Sequence, residues 1–179
     1  MLLKLGKFAA FAVLFVMLNC YSGNAVGPYA APLIRNDILL CADCTPETNP
    51  EYKKVLRSMH SPSLLEKAKI LYLISQLRLS LYRFERNGVM YDGRKAASHL
   101  MMKYGAVKNQ VKTAEEFVNY IGSGSKKTGE PYHIVADDGT KYLSRDILMK
   151  ELLILEEHIL EDSQVHGSEA LTLTGGKGV

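Results

Sequence analysis

A chain of 179 residues, 47% of them hydrophobic, is long enough for one domain with a modest core. Its 22 basic residues face 19 acidic ones. With Lys4 and Lys7 of the N-terminal leader set aside, 20 face 19, so the remainder is close to neutral, nothing in its charge argues for nucleic-acid binding, and that class is set aside.

Residues 1–25 read as a signal peptide. Lys4 and Lys7 form a positive n-region, and Phe8 to Leu18 is an uninterrupted apolar run. Gly23-Asn24-Ala25 places small residues at the positions that a signal peptidase inspects. The apolar run falls short of the roughly 20 residues a bilayer crossing takes, so no stable membrane span is expected after cleavage. The expected compartment is the periplasm of a Gram-negative-type envelope, or outside the cell. Two alternatives stay open at this point: a retained anchor, and lipidation at Cys20. For the second, Met17-Leu18-Asn19-Cys20 is a poor lipobox, because Asn19 stands where a small residue is expected.

Residues 26–61 form an irregular, Pro-rich lead-in, punctuated by Pro28, Pro32, Pro46 and Pro50. Ile38-Leu39-Leu40 either lies along the core or belongs to a disordered stretch; the residues do not decide. Cys41 and Cys44, spaced Cys-Ala-Asp-Cys, are expected to form a disulfide in an oxidising compartment. A redox pair would need its first thiol at a helix N-terminus, and Pro50 argues against a long helix there. A zinc site needs about four ligands, and no second Cys pair supplies them.

Ser61-Pro62 opens the first strong helix, with Ser at the N-cap and Pro at the first helical position. It is expected to reach about Leu79 and to bury Leu64, Leu65, Ala68, Leu71, Tyr72 and Ser75, leaving Glu66, Lys67 and Lys69 on a solvated face. Next, Tyr82, Phe84 and Arg86 alternate with polar residues up to Asn87-Gly88, which tolerate the positive φ of a two-residue type I′ turn. That turn pairs Arg86 with Val89, Glu85 with Met90 and Phe84 with Tyr91, the last as an aromatic pair. Asp92 caps a helix to about Tyr104, ended by Gly105 and burying Ala96, Ala97, Leu100, Met101 and Tyr104. Thr113-Ala114-Glu115-Glu116 is a capping box for a helix that buries Ala114, Phe117, Val118 and Ile121. After a 122–130 loop, Pro131 to Val135 and Lys141 to Leu143 make a second hairpin around Asp137-Asp138-Gly139. Ser144 caps a last helix lined by Ile147, Leu148, Leu152, Leu155 and Ile159. From Asp162 the apolar period is lost, and 162–179 reads as a flexible tail. The expected fold is α+β: a single compact domain over 62–161, with about four helices packed on two small β-hairpins.

Four spaced motifs run in one order over about fifty residues: Phe84-x-Arg86-Asn87-Gly88; Ala96-Ala97-Ser98-His99-Leu100-x-x-Lys103; Thr113-Ala114-Glu115-x-Phe117; and Ser123-x-Ser125-x-x-Thr128-Gly129-x-Pro131-Tyr132-x-Ile134. This pattern resembles the YfeK-like bacterial family, domain of unknown function 5329, over roughly Leu64 to Leu160. The resemblance implies a small exported protein with no assigned activity. The sequence Gly122-Ser123-Gly124-Ser125-Lys126 departs from relatives that are richer in Ser, which weighs against a specific role for hydroxyls in this loop.

Gly122–Gly129 is small, polar and cationic, and superficially like a phosphate-binding loop. A Walker loop leads into a helix N-terminus, whereas this one follows a helix C-terminus, where the dipole repels anions. The plain reading is a connection made of turn residues; the alternative is a contact surface for a partner or ligand. His99 has Lys95 one turn before it and Lys103 one turn after, cations that disfavour imidazolium and could poise it as a base. Its plain reading is a partly buried, hydrogen-bonded histidine. His60, His133, His158 and His166 show no metal-ligand spacing, and Asp137-Asp138 lacks the further acids of a calcium loop, so no metal and no cofactor is expected. Arg86 either holds a carboxylate across the hairpin or faces solvent. The reading that follows is an envelope binding module for a protein or cell-wall component. Arg86, Asn87, Ser123, Ser125, Lys126, Lys127, Thr128 and Tyr132 are its binding candidates. The alternative is a hydrolase pairing His99 with Ser123 or Ser125, which requires those side chains within hydrogen-bond reach.

Overall fold

The computed structural model describes residues 38–40 and 46–174, with 165–174 described by backbone alone. The expected leader and the Cys41–Cys44 disulfide lie outside the described residues. In chain order come a 3-10 turn (Pro46–Thr48), helices α1 (Tyr52–Arg57) and α2 (Pro62–Leu79), and strands β1 (Arg83–Arg86) and β2 (Val89–Tyr91). Helices α3 (Gly93–Val107) and α4 (Ala114–Phe117), strands β3 (His133–Val135) and β4 (Lys141–Leu143), and helix α5 (Ser144–Thr174) follow. The class is α+β, as expected. No helix among the described residues is long and apolar enough to cross a membrane.

The first hairpin has the register its turn dictates. Asn87 and Gly88 take φ of 51° and 73°, and Arg86 pairs with Val89, Glu85 with Met90, Phe84 with Tyr91. The expected aromatic pair is corrected: Phe84 sinks into the core, while the Tyr91 ring carries the Arg86 guanidinium, 5.6 Å from its centroid. The two hairpins do not stand apart. β1 pairs antiparallel with β3, giving one four-stranded sheet in the order β2-β1-β3-β4.

Helix α2 is the central element. It packs against α1, α3, α4 and α5, and so buries Ala68, Lys69, Ile70, Tyr72, Leu73, Ile74, Gln76 and Leu77 around most of its circumference. The single buried face expected from its periodicity is therefore corrected, with Leu64 exposed and Lys69 buried. Lys69 is tolerated inside because Glu66 and Glu156 each accept from its Nζ at 2.8 Å. At the end of α2 the chain turns sharply so that Gly93 starts α3 against it. A Cβ on Gly93 would sit 2.8 Å from Ser80 O and closer still to Leu77 O, so a larger residue cannot enter without moving backbone.

Asp92 caps α3 by accepting from the Lys95 amide at 2.8 Å. The helix runs past Gly105 to Val107; Gly105 does not take the left-handed conformation that would have ended it. The Thr113/Glu116 capping box is present, and the helix it opens continues as a π-helical turn over Val118–Gly122. Ala114, Phe117, Val118 and Ile121 are buried there, and Ile147, Leu148, Leu152, Leu155 and Ile159 along α5, as their spacing predicts. The backbone of α5 stays helical to Thr174, beyond the loss of period at Asp162. Two residues of the lead-in join the same core. Ile38 and Leu40 are buried, and Leu40 N donates to Glu151 Oε1 on α5 at 2.7 Å.

Candidate functional site

The sheet, the end of α2 and the first half of α3 enclose a cleft of about 490 Å³, within the size range of small-molecule sites. Leu77, Phe84, Ala96 and Leu100 make its apolar wall, and Arg86, Tyr91, His99 and Tyr132 supply polar atoms. Each polar residue arrives by a local rule. Arg86 shares a strand face with Phe84, two residues back, so the face that buries the ring also turns the guanidinium toward α3. His99 and Lys103 sit one turn apart on α3 and therefore on one face. Tyr132 immediately precedes β3, whose pairing with β1 sets it opposite that face.

These four side chains form one chain of contacts. Arg86 Nη1 lies 2.8 Å from His99 Nδ1 and 3.0 Å from Nε2. Tyr132 Oη is 3.2 Å from His99 Nε2, and Lys103 Nζ donates to the same oxygen at 3.3 Å. A guanidinium only donates, so the imidazole nitrogen that receives it carries no proton. With Nη1 this close to both nitrogens it lies over the ring rather than on either lone-pair axis, so these contacts fit either tautomer, and Tyr132 Oη pairs with Nε2 in both. Burial and then the charges of Arg86 and Lys103 hold His99 below the usual imidazole range, which keeps it neutral. The depression foreseen from the sequence is thus present, but Arg86 takes the part expected of Lys95.

Lys103 lies outside the binding candidates, although it ends the motif that holds His99. Its Nζ donates to Ile121 O at 2.7 Å, an open carbonyl of the π-helical turn, and to Gly124 O at 2.8 Å in the loop that follows. Burial, followed by Lys126 and Arg86, lowers its pKa to about 8. Among the described residues no carboxylate pairs with Arg86 or Lys103; of the two acids in the cleft wall, Glu85 lies 2.6 Å from Lys141 and Asp92 caps α3. Burial raises Tyr132, against a small opposing effect of Arg86.

The other candidates fall in two groups. Asn87 and Thr128 meet, Thr128 Oγ1 donating to Asn87 Oδ1 at 2.9 Å, so the hairpin tip and the 122–130 loop form one surface. Ser123, Ser125, Lys126 and Lys127 do not line the cleft. Ser123 Oγ donates to Asn119 O at 2.6 Å, and Ser125 Oγ accepts from the Thr128 amide at 3.4 Å. His99 is engaged by Arg86 and Tyr132, so the Ser–His pairing that a hydrolase would use is absent from these contacts. Tyr91, Arg94 and Lys95, which are outside the binding candidates, also line the cleft. Among the described residues no three His, Cys, Asp or Glu side chains gather as metal ligands would.

A family model described as "Family of unknown function (DUF5329)" matches residues 65–156. An uncharacterised protein of Salmonella typhimurium, YfeK, is 43% identical over 49 residues, which is 27% of this chain and 41% of that protein. The chain thus spans well under two thirds of that relative's length. No solved structure matches.

Proposed function

This chain belongs to the DUF5329 family of unknown function, and we propose that it serves as a small exported binding module of the cell envelope, with the cleft beside the first hairpin as its working surface. The observation that carries the reading is the convergence of Arg86, His99 and Tyr132 on a cleft with a largely apolar surface, with Lys103 behind them and no described carboxylate paired with either cation. Half-burying cations without a counter-charge costs folding free energy, and such groups cluster where a ligand or partner supplies the missing interactions. The hairpin tip extends that surface through the Asn87–Thr128 contact.

The experiment is a set of amide NMR spectra of the chain from residue 26 onward, with fractions of the bacterial envelope added: low-mass solutes, soluble wall fragments and envelope proteins. Binding is expected to shift the amides of Arg86–Val89 and Gly93–Leu100. Shifts confined to other surfaces, or none with any fraction, would end this assignment. Export is tested separately by osmotic-shock release of the full chain, which is expected to appear shortened at its N-terminus in the released fraction.

A further inference from the structure

The cleft is asymmetric in chemistry as well as shape. One wall is the apolar set Leu77, Phe84 and Leu100; the opposite corner holds the donors Arg86 and Tyr132. Arg86 is fixed there on two sides, by the Tyr91 ring beneath its guanidinium and by His99 at one nitrogen. Its remaining N–H groups have no partner among the described residues. Tyr132 Oη already accepts from Lys103, and its own proton points into the cleft whenever His99 Nε2 carries the ring proton. A guanidinium prepared in place beside a phenol donor matches an oxyanion, with little further ordering needed on binding. At the rim Arg94 and Lys95 add positive charge, while the two acids of the lining are occupied, Glu85 by Lys141 and Asp92 by the α3 cap.

Resting on the proposed function above, we infer that the cleft binds small molecules carrying one oxyanion group, carboxylate or phosphate monoester, on an apolar body. The oxyanion meets Arg86 and Tyr132 Oη, and the body fills the wall of Leu77, Phe84 and Leu100. A cavity of about 490 Å³ has ample room for a body of one aromatic ring with a short linker.

Titration calorimetry with defined probes tests this: 3-phenylpropanoate, 2-phenylethyl phosphate, the neutral 3-phenylpropanamide, and acetate and inorganic phosphate alone. Both aromatic anions, or one of them, are expected to bind at least about tenfold more tightly than the amide and than the bare anions. A preference between the two anions identifies the source as a carboxylic acid or a phosphate ester. Arg86→Gln is expected to erase the advantage of anion over amide. The wild-type comparison stands even if that variant folds poorly. Equal binding of acid and amide, or an anion preference that survives Arg86→Gln, overturns the inference. Bare anions binding as well as the aromatic ones also overturns it. If envelope fractions shift the cleft amides while no anionic probe binds, this inference falls and the proposed function stands. If neither binds, both fall.

Discussion

Lys103 shows how one side chain can serve the fold and the site together. It closes the carbonyls of Ile121 and Gly124 and holds Tyr132 Oη, at the expense of standing half-buried without a carboxylate. Because the folded state lowers its pKa from 10.5 to about 8, the unfolded chain holds the extra proton between those values. Stability from this residue is therefore gained as pH rises from about 8 toward 10.5. Thermal melts between pH 7.5 and 9.5 are expected to show a rising midpoint in the wild type and a flatter one in Lys103→Met; parallel slopes would refute the assignment. His99 has the same sign at lower pH. Its depressed pKa means stability is lost as pH falls below 6.5, and Arg86→Gln is expected to bring the imidazole partway back toward that value, since burial, the larger cause, remains. The His99 ring-proton shift followed through a titration measures it, and an unchanged midpoint would remove Arg86 as a cause. The pairing of His99 with a cation was legible, because i±4 spacing on a helix is local. That the cation is Arg86 was not, since it reaches α3 only through the fold.

The elements divide along the same line. The first hairpin was legible to the residue because Asn87-Gly88 fixes its own register. The union of the two hairpins was not, because β1–β3 pairing joins segments with two helices between them, and each hairpin reads as complete alone. The buried set of α4 and the π-helical turn followed from spacing, although their helical type did not. Loss of the capping box by Thr113→Ala is expected to cost about 1 kcal/mol, the usual worth of an N-cap, measured by denaturant unfolding. Gly93→Ala is expected to cost more, because the methyl meets the backbone oxygens of Leu77 and Ser80 rather than a flexible side chain. If it proves no worse than Thr113→Ala, the approach of α3 to α2 is looser than its geometry implies. That same approach sets the Gly93 end of α3 against the cleft, so Gly93→Ala should weaken ligand binding even where it folds.

At the scale of the molecule, the family match over residues 65–156 covers the site but not the whole core. Ile38, Leu40, Tyr52 and Val55 are buried in the same hydrophobic cluster as α2 and α5, and all four precede the matched stretch. The sequence left Ile38-Leu39-Leu40 undecided because three apolar residues among prolines carry no period to read. The structure anchors them at both levels, by apolar burial and by polar contacts to α5. Leu40 N donates to Glu151, and Lys150 Nζ to Ile38 O at 3.3 Å. Glu151 is itself buried, and burial raises its pKa against the lowering effects of Leu40 N–H and Lys150. A Gln in its place keeps an acceptor for Leu40 and removes a desolvated charge; a Leu leaves that amide buried and unpaired. Glu151→Leu is therefore expected to cost about 1–3 kcal/mol and Glu151→Gln much less. Leu40→Ala, which empties a fully buried site, is expected to cost about 2–5 kcal/mol in a single unfolding transition. Urea unfolding followed by tyrosine fluorescence reads these costs, since Tyr52 and Tyr72 pack edge to face in this region. One cooperative transition shifted by Leu40→Ala makes the lead-in part of the domain that carries the cleft. A transition unmoved by Leu40→Ala and by Glu151→Leu would confine the cooperative unit to the family-matched region and leave the lead-in a dispensable strap.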